Sequence, residues 1–185
     1  MNPKIEKLAK DIEKTKAKIA EQQARHDEAF AHLQQAVALE PDWALAHEAC
    51  GRVAYQLGTG QADAGQWQEA ERVLRESVRV RPGWAASLQQ LGRVLGERGA
   101  LAEARACLDQ ARVLEPEWAP PYFELGLVAL ASHGHEEAYH WFVAALNLTP
   151  DWTMATLECG RVAFTLEKYA EAATRLRSVV DDGVV

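Results

Sequence analysis

Three histidines within eight residues come nearer than any other part of the chain to a catalytic or metal-binding cluster. His133 and His135 flank Gly134 in a predicted turn between helices, and only His140 lies well inside a predicted helix. Polar turn residues account for this arrangement, with adventitious metal binding as the alternative. No carboxylate pair, Ser/His/Asp order or nucleophile motif accompanies the histidines. We therefore predict no catalytic residue, no metal site and no enzyme activity.

The cysteines and glycines give equally little evidence for a bound metal or phosphate. Cys50, Cys107 and Cys159 lack the spacing of zinc ligands and of a disulfide framework, and we expect free, mostly packed thiols. The segment Leu57–Gln66 is rich in glycine, but no strand precedes it and no GxxxxGKS or GxxxxGKT motif is present. We predict no cofactor, and we interpret Leu57–Gln66 as a flexible loop.

The composition is that of an acidic chain with enough apolar side chains for a continuous core. Of 185 residues, 48% are hydrophobic, and the net charge is −7. This charge repels phosphate backbones, so we expect no nucleic-acid partner. The lysine-rich first residues lack the apolar region of a signal peptide, and no apolar run approaches the roughly 18 residues of a membrane span. The expected location is therefore the cytoplasm, without membrane association.

Four residue types mark an internal repeat. Alanines recur at one constant interval, here called the repeat length, at Ala70, Ala104, Ala138 and Ala172. Prolines keep the same interval at Pro82, Pro116 and Pro150. Glycines and tryptophans keep it after a longer first interval, namely at Gly51, Gly92, Gly126 and Gly160 and at Trp43, Trp84, Trp118 and Trp152. We interpret the longer first interval as one unit with seven extra residues, placed in the glycine-rich loop.

Within each unit, apolar residues follow the spacing of two amphipathic helices. One set is Leu88, Leu91, Val94 and Leu95, and the next is Ala104, Leu108, Ala111 and Leu114. Gly99, Gly134 and the Pro-x-Trp triplets mark the helix ends. On these landmarks the chain resembles the tetratricopeptide-repeat family, whose unit is a helix-turn-helix hairpin of about 34 residues. We expect the tryptophans to pack between successive hairpins.

The resemblance implies an all-α fold, a right-handed α-solenoid of helix-turn-helix hairpins. The apolar spacing of the lysine-rich first residues adds a long N-terminal helix to this prediction. We predict a charged amphipathic helix at residues 1–28 and a repeat solenoid at residues 29–185. The solenoid is divided into a half unit at 29–41 and units at 44–82, 85–116, 119–150 and 153–184. Departures from the family pattern are His135, where a large apolar residue is usual, and Cys50 and Cys159, which take the place of Leu91 and Leu125.

The two ends of the chain leave several interpretations open. Near the start, a heptad pattern runs through lysine-rich sequence at Ile5, Leu8, Ile12 and Ile19. This segment fits a cap over the first hairpin, a short coiled coil between copies, or a segment from another source. Near the end, no polar capping helix follows the last predicted helix, although terminal repeats normally carry one. Continuation of the chain and homo-oligomerisation through either end both stay open.

The resemblance also implies a concave binding surface, lined by the first helix of each hairpin. The residue after each landmark glycine is expected to face it, which gives Arg52, Arg93, Leu127 and Arg161. The other predicted groove residues are Leu45, Glu48, Tyr55, Gln56, Gln89, Glu97, Phe123, Leu130, Met154, Leu157 and Phe164. Forked arginines and apolar anchors suit a peptide with acidic groups beside apolar residues. Internal pairing of the arginines, with Glu48 or Glu124, is the alternative.

These features favour a scaffold or adaptor that binds a protein or peptide ligand in the groove. Two alternatives stay open: a secretion-type chaperone for an aggregation-prone cargo, and a self-assembling structural module whose groove holds another copy. The family's carboxylate clamp for Hsp70 and Hsp90 tails uses Lys and Asn at groove positions where this sequence has neither. Chaperone tails are therefore not expected as partners.

Overall fold

The computed structural model of the chain describes residues 24–39 and 44–181, and every regular element within those ranges is an α-helix. The chain divides into two compact units, unit 1 at Met1–Pro82 and unit 2 at Gly83–Val185. The predicted all-α fold is confirmed. Most of the predicted N-terminal helix at 1–28 lies outside the described residues.

Unit 1 contains three described helices around one apolar cluster. They are α1 at residues 24–39, α2 at Ala44–Asp63 and α3 at Trp67–Val80. The side chains of Phe30 and Val37 from α1 lie in the same cluster as Cys50 and Leu57 from α2 and Val73 from α3. Burial of this shared apolar surface holds α1 against the hairpin of α2 and α3.

Unit 2 is a series of three helical hairpins in the part of the chain that the structure describes. The first is α4 at Ala85–Glu97 with α5 at Leu101–Leu114, the second α6 at Pro120–Ala131 with α7 at His135–Leu148, and the third α8 at Thr153–Thr165 with α9 at Tyr169–Asp181. Besides the pairing within hairpins, α5 packs on α6 and α7 packs on α8. Consecutive hairpins stacked in this way confirm the predicted solenoid of helix-turn-helix units.

Contacts between the second helices of successive hairpins repeat with the same offset. Arg105 donates from Nη1 to Glu137 Oε1 at 2.6 Å. One repeat later, the hydroxyl of Tyr139 donates to the carboxylate of Glu171. Because both pairs are 32 residues apart, the hairpins of α4–α5, α6–α7 and α8–α9 follow one another with the same stagger.

A glycine on the first helix of each hairpin lets the second helix approach closely. A Cβ atom on Gly92 would lie 2.6 Å from Leu108 Cγ, and one on Gly58 would lie 2.6 Å from Leu74 Cγ. The same relation joins Gly126 to the ring of Phe142 and Gly160 to the side chain of Leu176. These distances leave no room for a methyl group, so the packing of each hairpin requires glycine at this position.

This packing corrects the repeat register deduced for unit 1. The structural equivalent of Gly92 is Gly58, one repeat length earlier, whereas Gly51 faces Val80 and Arg81 beyond the crossing point. The predicted flexible loop at Leu57–Gln66 is wrong, because α2 continues through these residues to Asp63. Leu57, rather than Cys50, therefore takes the place of Leu91.

The seven extra residues of the first unit lengthen a helix. Helix α2 has 20 residues and α4 has 13, and their C-terminal ends are one repeat length apart. The difference therefore lies at the N-terminus of α2, in residues 44–50. Ala46 and Cys50 in this extension are buried in the cluster that receives α1. The two additional turns thus provide the surface on which α1 packs.

Each hairpin turn uses one residue in the left-handed conformation. The φ angles are 73° at Gly65, 78° at Gly99, 60° at His133 and 60° at Glu167, and these residues follow one another at the repeat length. The next residue along donates its N–H to the carbonyl five positions earlier, as in Ala100 to Leu95 and Gly134 to Ala129, both at 2.9 Å. This is the Schellman pattern of a helix C-terminus, which favours glycine. Gly134, read from the sequence as a helix end, follows the left-handed residue.

Candidate protein-binding groove

The first helices of the three hairpins in unit 2 carry equivalent residues on one side, here called the groove face. Helix α4 packs directly on α6 along it. The groove face consists of Gln89, Arg93, Gly96 and Glu97 on α4, Phe123, Glu124, Leu127 and Leu130 on α6, and Met154, Leu157, Arg161 and Phe164 on α8. Most of these residues form three rows at equivalent repeat positions: Gln89, Phe123 and Leu157; Arg93, Leu127 and Arg161; and Gly96, Leu130 and Phe164.

The deepest positions of the groove face belong to the packed interior. Phe123 is 9% exposed, and its ring lies 5.5 Å from that of Phe142 and 4.8 Å from that of Trp152. Trp152 therefore packs between the second and third hairpins, as its position after Pro150 predicted. Gln89 is only 5% exposed. Phe123 and Gln89 are thus buried members of the groove face, whereas other members, such as Met154 and Phe164, are exposed.

The α8 part of the groove face presents large apolar side chains to solvent. Phe164 is 61% exposed and Met154 is 54% exposed. The Phe164 ring meets the Tyr169 ring edge to face at 5.5 Å. Arg161 lies between Met154 and Phe164 on α8. It donates from Nη1 to Glu158 Oε1 at 2.9 Å, and its side chain is 67% exposed. An apolar surface with an accessible guanidinium is the result.

A small cavity interrupts the groove face between α4 and α6. Its volume is about 200 Å³. Apolar and glycine residues form most of its wall, with Arg93, Glu97 and Glu124 as the charged members. The remaining lining residues are Gly92, Gly96, Leu101, Leu127, Val128 and Ala131. The cavity therefore combines an apolar wall with a charged edge.

The Glu124 carboxyl is the most perturbed group of the groove face. Its pKa is raised to about 7, mainly by burial and to a smaller extent by the negative charge of Glu97. Arg93 and a hydrogen bond from Gln89 Nε2 to Glu124 Oε1, 3.3 Å long, act in the opposite direction. Loss of solvent outweighs these favourable contacts, so the carboxyl is partly protonated near neutral pH.

The repeat landmarks and the hairpins agree with the result of the family comparison. The sequence profile of the tetratricopeptide-repeat family matches residues 84–114, the hairpin of α4 and α5. In that hairpin the chain is similar to the tetratricopeptide-repeat family, and its fold is that of a tetratricopeptide-repeat solenoid. No curated protein sequence matches it.

Several solved structures share the fold of this repeat protein. The crystal structure of MamA has a TM-score of 0.70 at 19% identity, covering 87% of this chain and 90% of MamA. PilF of Pseudomonas aeruginosa has a TM-score of 0.66 at 23% identity, covering 86% of this chain and 70% of PilF. The first repeat domain of Spaghetti (RPAP3), solved with the HSP90 peptide SRMEEVD, has a TM-score of 0.60 at 20% identity, covering 63% of this chain and 93% of that domain. At identities this low, the structural similarity shows a common fold.

Unit 1 of the repeat protein holds the remaining predicted groove residues on α2. Arg52 is exposed, and its Nη1 lies 4.0 Å from Glu48 Oε1. Tyr55 is half-buried, and Gln56 is exposed. The position equivalent to Arg93 is Thr59, whose hydroxyl donates to the Tyr55 carbonyl at 2.8 Å. By repeat position, the row of residues after the glycines is therefore Thr59, Arg93, Leu127 and Arg161. The prediction of Arg52 as its first member is wrong, because Arg52 lies two turns earlier on α2.

The histidines and cysteines occupy structural positions. His133 is the left-handed turn residue, and His135 begins α7. Cys50 and Cys159 are buried free thiols, and burial raises the pKa of each. Within residues 24–39 and 44–181, no three His, Cys, Asp or Glu side chains form a group that could hold a metal ion. None of the described helices is long and apolar enough to cross a membrane.

Proposed function

We propose that the groove face of unit 2 holds a segment of a partner polypeptide, and that the chain works as a protein-binding scaffold. The observation that carries this proposal is the exposure of Phe164 and Met154 beside a completed core. Covering large apolar groups with a partner removes them from water, which makes the free energy of binding more favourable. A peptide bound to the Spaghetti domain supports a polypeptide as the ligand of this fold.

The charges beside these apolar groups favour acidic residues in the partner near α8. Arg161 is 67% exposed in its side chain and pairs with Glu158 on the same helix turn. A surface pair of this kind contributes little free energy, so a partner carboxylate can replace Glu158 at small cost. The expected ligand near α8 is therefore an extended or helical segment with apolar residues and a neighbouring acid.

The test uses peptides selected by display against the full chain and titrated by fluorescence anisotropy. Phe164→Ser removes the main apolar anchor and should raise the dissociation constant of a selected peptide by about tenfold or more. Val113→Ser is the matched control, because Val113 is a 70% exposed residue of α5 outside the groove face. Equal affinities for both variants would contradict the proposal.

A second pair of variants tests the charge. Arg161→Glu should lower the affinity for acidic peptides, and the remaining affinity should depend less on salt concentration. Arg72→Glu is the matched control, because Arg72 also pairs with an acid three residues before it, Glu69, at 2.5 Å. A uniform loss in both variants would point to a general charge effect instead of a groove contact.

A further inference from the structure

One position of the groove face lacks the side chain that its neighbours carry. Gly96 lies in α4 where α6 has Leu130 and α8 has Phe164, each one repeat length after the last. The cavity between α4 and α6 opens beside this glycine. Gly96 lines this cavity, so no side chain enters it from α4 at this position.

The fold does not require glycine at position 96. A Cβ atom there would have Val128 Cγ2 as its neighbour at 3.5 Å, an ordinary van der Waals contact. Gly96 lies in the last turn of α4, without the left-handed φ of Gly99 three residues later. At a helical position without a left-handed φ, alanine is favoured over glycine. Packing therefore gives no reason for glycine at position 96, whereas a ligand that occupies the space would give one.

The size of the cavity limits what can occupy it. At about 200 Å³ it is smaller than the roughly 300–1,000 Å³ of small-molecule sites. A single side chain from a bound segment fits that limit. The glycine and aliphatic wall at Gly92, Leu127 and Val128 suits a long apolar stem.

The charges at the edge favour a cation at the end of that stem. Glu97 and Glu124 supply two carboxyl groups, and Arg93 supplies one guanidinium. The Arg93 Nε donates to Gln90 Oε1 at 3.0 Å, which holds part of the guanidinium on its own helix. An added cation would interact favourably with both carboxyl groups and would stabilise the ionised form of Glu124.

We infer that the cavity beside Gly96 binds a lysine or arginine side chain of the partner segment, with its aliphatic stem on the glycine and leucine wall and its charge between Glu97 and Glu124. This inference rests on the proposed groove function and adds a basic residue to the partner's acidic and apolar ones. The partner's acidic residue would meet Arg161 on α8, and its basic residue would meet Glu97 on α4 and Glu124 on α6. These two contacts would fix the direction in which the partner segment lies along unit 2.

The cavity is tested separately from the rest of the groove with a single amino acid as the probe. N-acetyl-lysine N-methylamide is titrated into the ¹⁵N-labelled full chain, and the amide signals of Gly92 and Gly96 are followed by NMR. The norleucine analogue has the same carbon stem and no charge. We expect saturable shifts of both glycine signals with the lysine probe, and affinity at least about tenfold weaker with norleucine.

Two variants decide between the cavity and a non-specific surface. Gly96→Leu fills the space with the side chain that α6 carries at this position, and should abolish the lysine shifts while thermal unfolding stays cooperative. Glu97→Gln changes an exposed residue without loss of volume, and should weaken the lysine probe several-fold. Absence of shifts in the wild type, equal response to both probes, or shifts that survive in Gly96→Leu would overturn the inference.

The outcomes also separate this inference from the proposed function. Suppose that the lysine probe shifts the Gly96 signal but Phe164→Ser does not change the affinity for the selected peptides. The cavity would then be supported as a site for a basic side chain, and the proposed binding surface on α8 would be contradicted. The reverse pattern, peptides that depend on Phe164 but no lysine response, would leave the groove and remove the cavity as a site.

Discussion

Glu124 is a carboxyl group whose surroundings favour its neutral form in the folded chain. Its pKa rises to about 7 on burial beside Gln89, Arg93 and Glu97. The folded chain therefore binds more protons at this residue than the unfolded chain does between its ordinary pKa and about 7. By linkage, the free energy of unfolding decreases as pH rises through this range.

Glu124→Gln should remove this penalty at high pH. The amide oxygen of glutamine can still accept the hydrogen bond from Gln89, so the main change is the loss of a buried charge. We expect the free energy of unfolding to increase by about 2 kcal/mol at pH 8 and to change little at pH 4. Urea unfolding at both pH values measures the difference.

Glu158→Gln is the control, since Glu158 holds the position equivalent to Glu124 on α8 and pairs with Arg161 at 2.9 Å. The same pH-dependent gain in both variants would show that burial of Glu124 is not its cause.

The turn residues His133 and Glu167 adopt a backbone conformation that costs free energy in every residue except glycine. Their φ angles are 60°, where the equivalent turns have Gly65 and Gly99. Replacing either by glycine should raise the free energy of unfolding by about 1 kcal/mol, or the melting temperature by about 2–4 °C. Differential scanning calorimetry of Glu167→Gly measures this, with Glu136→Gly, on the ordinary backbone of α7, as the destabilised control.

At the scale of the helices, close approach at one glycine per hairpin decides how well each pair packs. Gly126→Ala would place a methyl group against the fully buried ring of Phe142. We expect a loss of about 2 kcal/mol from this overpacking. Gly60→Ala is the matched control: Gly60 is exposed in α2 with nothing within 4 Å of an added Cβ, and alanine should stabilise it by roughly 0.5–1 kcal/mol. In chemical denaturation we expect the free energy of unfolding to decrease for Gly126→Ala and to increase for Gly60→Ala.

The helices were predictable because two periods coincide in the sequence. Apolar spacing identified the hairpins, and the regular recurrence of residues such as Ala104 and Pro116 placed their boundaries in unit 2. The register of unit 1 was not found, because Gly51 and Gly58 both precede small and apolar residues at suitable spacing. A signal was nevertheless present: Gly58 and Gly65 are seven residues apart, as are Gly92 and Gly99.

The groove face was only partly accessible to sequence reasoning. The recurrence placed Arg93, Leu127 and Arg161 on equivalent turns, which the helices of unit 2 reproduce. Burial was not visible in it: Phe123 reads as an exposed anchor, yet it packs against Phe142 and Trp152 because the third hairpin covers it. The perturbed Glu124 was also missed as a site, since its environment depends on the distance between α4 and α6.

At the scale of the whole molecule, each hairpin of unit 2 is stabilised mainly by its own helices and by its neighbour. Stability in such a stack is nearly a sum over neighbours, so a local defect should remain local. Gly160→Ala, which places a methyl group against Leu176, should speed amide hydrogen exchange in α8 and α9 and leave α4 and α5 protected. Uniform acceleration over all six helices would instead indicate one cooperative unit.

The length of the extension on α2 has a consequence for orientation. Each residue of a helix turns the chain by about 100°, so seven residues return the side chains to within about 20° of their starting direction. An extension of five residues would have rotated the surface that meets α1 by more than a quarter turn away from α3. With seven, the added turns continue the same buried stripe, and Arg52 points almost along the direction of Thr59. A complete number of turns therefore lets this repeat grow in length without changing which side is inside.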